Sequence, residues 1–147
     1  MPYVDQIVLA NRIVPQPGGT FDVFGASWDH LAAPSVPVQQ EGFALLLSVL
    51  LRPDEAREGH EVEITISAPD GAQVGRMTAA VGRIPDEQRA AMAGDGRARA
   101  EMVFNASGVV FSQFGRYAIE FLWDGEPLRE PMMFTVAHEP ADNASEG

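Results

Sequence analysis

Three histidines, His30, His60 and His138, are the side chains of this 147-residue sequence best suited to proton transfer or metal ligation. No two lie within four positions of each other, so the close His pair of a local metal site or a cupin is absent. His60 shares parity with Val62 and Ile64, which places it at the edge of a core with a hydrogen-bond partner. Ligation of a metal together with Glu58 or Asp54 is the chemical alternative. Carboxylates gather at Asp54, Glu55 and Glu58 and again at Asp86 and Glu87. Two such connections at one end of a β fold could hold calcium. The Asp-x-Asp spacing typical of such loops is missing, and a net charge of −11 predicts solvated acidic loops in any case.

Other reactive patterns are weaker. Glu61 and Glu63 could act as a carboxylate pair on a glycoside, but their alternation with apolar residues is also what the wet face of a strand looks like. No serine sits in Gly-x-Ser-x-Gly. Gly18-Gly19 follows Pro17 and opens no helix, so it is not a phosphate loop. Trp28, just before Asp29-His30, is the aromatic best placed to stack on a sugar, whereas Trp123 has core parity. We therefore expect no catalytic residue, no metal ligand set and no cofactor. The ligand-binding candidates are Trp28, His30, Asp54, Glu58 and Asp86.

The elements that would position these residues are strands. Gly115 to Trp123 alternates Tyr117, Ile119, Phe121 and Trp123 on one face. Asp124-Gly125 tolerates positive φ and predicts a hairpin, with Met132, Phe134 and Val136 on the returning strand. Tyr3 to Ala10 and Thr20 to Trp28 read as strands separated by a Pro15–Gly19 turn, and Pro34 and Pro37 mark a loop. Phe43 to Leu51 is apolar on both faces and predicts a central strand, or one whose outer face is covered. A charged connection over 52–59 leads to the half-buried strand of Val62, Ile64 and Ile66, then a Pro69-Asp70-Gly71 turn. Weaker strands follow over 73–83, 101–105 and 109–111. A short helix or long loop falls near 85–93. This predicts an all-β chain: one antiparallel β-sandwich domain of seven or eight strands over residues 1–137, and a polar tail over 138–147. A jelly roll is the alternative.

The Gly115-x-Tyr117 start and Asp124-Gly125 end resemble the last strands of immunoglobulin-like sandwiches, where a Tyr hydroxyl anchors a corner to nearby backbone. More broadly, the chain resembles a family of small uncharacterised actinobacterial proteins. The resemblance rests on Gly25-Ala26-Ser27-Trp28, His60-Glu61-Val62-Glu63-Ile64, Pro69-Asp70-Gly71 and the Gly115–Gly125 hairpin, and spans most of residues 5–137. It implies an immunoglobulin-like fold and no particular activity.

Composition narrows the function classes. The charge of −11 disfavours nucleic acid and anionic membranes as partners. No apolar run reaches the ~18 residues of a membrane span, and the opening residues lack a signal-peptide pattern. The absence of Cys fits a reducing, cytoplasmic setting. If the second apolar face of the 43–51 strand is uncovered, Leu46 and Leu50 form an exposed patch of the kind that marks an interface. The expectation is a non-enzymatic protein-interaction or self-association module. The alternative is a carbohydrate- or calcium-binding module using loops at one end of the sandwich.

Overall fold

A computed structural model describes residues 1–18, 20–26, 29–85 and 97–139. Thirteen strands and one helical turn follow in chain order: β1 (Tyr3–Ala10), β2 (Arg12–Gln16), β3 (Thr20–Phe24), β4 (His30–Ala33), β5 (Val38–Gln40), β6 (Phe43–Leu51), α1 (Pro53–Ala56), β7 (His60–Ser67), β8 (Gln73–Val81), β9 (Ala98–Ala106), β10 (Val109–Phe111), β11 (Gly115–Trp123), β12 (Glu126–Pro127) and β13 (Met132–His138).

The strands form several sheets rather than the simple pair expected. One sheet has the order β1-β6-β9 and another the order β4-β13-β11-β7-β8, with β12 hydrogen-bonded to β11. β2 and β3 form a hairpin of their own, and β5 pairs with β10. The pairings are antiparallel except that β4 runs parallel to β13. The nearly all-β class is as expected; the count and division of the strands are not.

The main core is made by alternation. Phe43, Leu45, Leu47, Val49 and Leu51 of β6 face Val62, Ile64 and Ile66 of β7 and Tyr117, Ile119, Phe121 and Trp123 of β11, with Phe111 and Phe134 among them. The rings of Tyr117 and Phe134 stack with centroids 5.3 Å apart, and Phe111 packs edge-on to both. A second, smaller core lies on the other face of β6, where Ala44 and Leu46 meet Ala10 and Ile13. The β2–β3 hairpin supplies that cover through Ile13 and Phe21.

Several local readings change. β2 continues through Pro15 to Gln16, because Pro15 sits in a two-stranded ribbon opposite Phe21 and the missing N–H is tolerated there. Residues 34–37 are the loop that Pro34 and Pro37 mark, but the elements that flank it are two short strands, β4 and β5, not expected from the sequence. Residues 53–56 of the charged connection form a helical turn led by Pro53 at its first position. The strand expected to reach Trp28 ends at Phe24. The helix or loop expected near 85–93 lies almost wholly outside the described residues. So does most of the tail, except that His138 still belongs to β13 and the Glu139 N–H donates to the Ala33 carbonyl at 2.8 Å.

Candidate functional site

The densest polar cluster among the described residues centres on His60. Three elements meet there: the first residue of β7, the helical turn α1, and the two-residue turn between β11 and β12. The last is an Asp-Gly turn with both residues at positive φ, 51° for Asp124 and 86° for Gly125. That conformation matches the twist of the flanking strands and pairs Trp123 with Glu126.

Asp124 is fastened to β7 three times. Its N–H donates to the Glu61 carbonyl at 2.8 Å. Its Oδ1 accepts the Glu61 N–H at 2.9 Å, and its Oδ2 lies 2.7 Å from His60 Nδ1. On the far side of the ring, His60 Nε2 lies 2.6 Å from the Glu55 carbonyl oxygen. The ring also packs on Trp123, centroids 4.7 Å apart.

Carboxylate and carbonyl oxygens only accept, so each ring nitrogen must donate. The arrangement therefore fits the imidazolium, with both N–H groups engaged. Burial of the ring opposes that charge. The hydrogen bonds to Asp124 and Glu55 and the charges of Asp124 and Glu58 outweigh burial, and the His60 pKa is raised above its ordinary value. Asp124 is correspondingly held below the usual carboxylate range by the His60 and Glu61 hydrogen bonds.

Glu55 carries the cluster one step further. Its side chain is buried, and Oε1 accepts the Arg52 N–H at 2.9 Å. Oε2 lies 2.8 Å from the Met1 ammonium and 3.5 Å from Arg52 Nη2. Burial alone would raise the Glu55 pKa, but the ammonium and the Arg52 N–H outweigh it and the carboxyl is held low. The reciprocal bond from Glu55 to the residue before α1 is the return half of a capping box, and it closes the helical turn that aims the Glu55 carbonyl at His60.

Chemically this cluster is closed. A general base needs a free lone pair, and both nitrogens of His60 already donate within the fold. A His–carboxylate couple here works as a clamp joining α1, β7 and the β11–β12 turn.

The ligand-binding candidates are not assembled. Asp54 lies within α1 and Glu58 just after it, and both are exposed, Asp54 pairing with Arg52 at 3.6 Å. His30 pairs with Thr135, which pairs with Arg116, whereas α1 lies by the Trp123 end of β11. That separation is about 23 Å along the strand. Trp28 and Asp86 lie outside the described residues. Among the described residues no group of three or more His, Asp or Glu side chains is placed to hold a metal ion. Leu46 is covered by the β2–β3 hairpin and 5% exposed, so the condition for its forming an exposed patch is not met. Leu50, farther along β6, is half-buried.

Two clefts among the described residues are lined by none of the residues of this cluster. A groove of about 570 Å³ runs between β2 and the end of β9; there the Asn105 amide donates to the Ile13 carbonyl at 2.9 Å and accepts the Ile13 N–H at 3.2 Å. A second cleft of about 350 Å³ opens between β8 and β10 over Ile66, Val74, Met77, Val109 and Val110.

The model of a family of unknown function (DUF6941) matches residues 5–136. The chain belongs to that family. The match runs from β1 into β13 and so takes in both large sheets, His60, Asp124 and Glu55. No curated protein matches the chain. No helix among the described residues is long and apolar enough to cross a membrane.

Sequence reasoning placed His60 at the edge of the core but missed both partners. Asp124 read only as a turn residue. The Glu55 contribution is a backbone carbonyl, which leaves no signature beyond the Arg52-Pro53-x-Glu55 spacing of a helix start.

Proposed function

We propose that this chain is a non-enzymatic protein-interaction module built on an immunoglobulin-like pair of sheets. The strand order supports the immunoglobulin comparison. β6 beside β9 corresponds to strands B and E, and β7-β11-β13 to C, F and G, with β8 as the added strand next to C. Tyr117 stands near the start of the F-like strand, as a tyrosine corner requires, and its hydroxyl bonds the Gln113 backbone.

The observation that carries the interaction reading is the free edge of β8. Nine residues long, β8 pairs only with β7 among the described residues; β9 and β10 come close to it, but neither is hydrogen-bonded to its outer row of backbone groups. Closure of the His60 cluster supports the non-enzymatic part of the reading.

The test is association of the purified full chain with itself, and with proteins captured from its host and then reconstituted from purified components. A stoichiometric complex, homomeric or heteromeric, is the expected result. A chain that stays monomeric and reconstitutes with nothing would sink the reading.

A further inference from the structure

We propose that two copies of this chain join antiparallel along β8, edge to edge, with Met77 facing its own counterpart across a two-fold axis. This rests on the interaction-module reading and gives it a partner and a contact.

Natural edge strands are blunted by charge, proline, bulges or brevity. The other edges here show such features: β1 carries Asp5 and a register shift, β3 carries Asp22, β4 has four residues, and β9 carries Arg99 and Glu101. β8 is Gln-Val-Gly-Arg-Met-Thr-Ala-Ala-Val. It has no proline and no acid, and its register irregularity is confined to the Gln73 end. In a chain of net charge −11, its one charged residue is Arg76. Arg76 is held by Glu63 at 2.9 and 3.2 Å.

Parity and charge narrow the register, and the Met77 axis centres the pairing on the middle of the strand. Side chains that face the core in one copy must meet core-facing side chains in the other, or the joined sheet would turn inside out. The core-facing positions are Gly75, Met77, Ala79 and Val81, opposite Ile66, Ile64, Val62 and His60 of β7. Centring the axis on Met77 sets Gly75 against Ala79, Arg76 against Thr78 and Val74 against Ala80, with no like charges opposed. Centring it on Arg76 would oppose two guanidiniums, and cross-strand like charges are destabilising. The Met77 pair would then lie at the mouth of the cleft lined by Ile66, Val109 and Val110.

The contact predicts opposite responses to two substitutions at one exposed position. Across the dimer, residue 78 faces the partner's Arg76. Thr78→Lys therefore weakens association and Thr78→Glu strengthens it, each by about fivefold in Kd because the pair occurs twice. Within one chain residue 78 faces Glu63. An effect acting only through the fold therefore has the reverse sign, Lys stabilising and Glu destabilising. Light scattering over a concentration series on wild type and both variants reads the Kd, and thermal melts read the fold. A monomer at every concentration overturns the proposal. A dimer whose Kd does not move in these opposite directions also overturns the β8 contact, while leaving the interaction-module reading intact.

Discussion

Tyr117 and Gln113 exchange two hydrogen bonds across one corner: the Tyr117 hydroxyl donates to the Gln113 carbonyl at 2.8 Å and accepts the Gln113 N–H at 3.1 Å. The Tyr117 ring is fully buried between Phe111 and Phe134, so its hydroxyl is held where the chain enters β11. Tyr117→Phe removes both bonds and leaves two backbone groups without a partner. The expected loss is about 1–3 kcal/mol by urea denaturation, with the same folded circular-dichroism spectrum. A loss near zero would mean that water replaces the hydroxyl without cost.

The His60 clamp makes stability depend on pH with a definite sign. The folded pKa is raised above the ordinary value near 6.5. The stabilisation is therefore fully present below that ordinary value and is lost as pH rises through the folded pKa. Wild type should lose stability across that window, and His60→Gln, which cannot titrate, should not. Denaturation midpoints at a series of pH values, with the His60 ring followed by NMR, decide this. Asp124 and Glu55 act in the opposite sense: their pKa values are lowered, so what they contribute is present above the ordinary carboxylate range and lost as pH falls through their folded values.

Ser48 is fully buried on β6, and among the described residues its hydroxyl has no hydrogen-bond partner. A buried hydroxyl without a partner costs free energy relative to an apolar group of the same shape. Ser48→Ala should raise stability by up to about 1 kcal/mol, seen as a higher melting temperature. A drop would show that the hydroxyl has a partner, such as a bound water.

Gly42 faces the backbone carbonyl of Asn11, and a Cβ there would run into that oxygen. The obstacle is backbone, so no rotamer change relieves it. Gly42→Ala should cost about 1–3 kcal/mol by chemical denaturation. The Asn11 N–H bonds to Phe24 and Gly25, so the loss should come with faster amide exchange in the β2–β3 hairpin.

The long strands were legible because alternation is a local signal. β6, β7 and β11 stand where Phe43–Leu51, Val62–Ile66 and Tyr117–Trp123 alternate, and Asp124-Gly125 makes the turn its residue types call for. β4 and β5 were not legible: four and three residues carry no period, and β4 is a strand only because β13 offers it a parallel edge. The cover over Leu46 comes from Ile13, thirty-three positions earlier, across a turn read as a break. At the site, parity placed His60 correctly. Its partner Asp124 is 64 positions away, and nothing local to either residue records the pairing.

β13, the last strand of the described chain, is not an edge: it lies inside the large sheet, between β4 and β11. A nascent chain cannot complete that sheet until His138 has been made, and β4, near the other end of the sequence, has no edge to pair with before then. Closure therefore waits for the longest loop in the fold and comes late, after synthesis of this region rather than during it. Until that moment Leu31, which ends up packed against the main core, remains in water. This is the interval in which the chain depends most on whatever shields apolar surface in its cell.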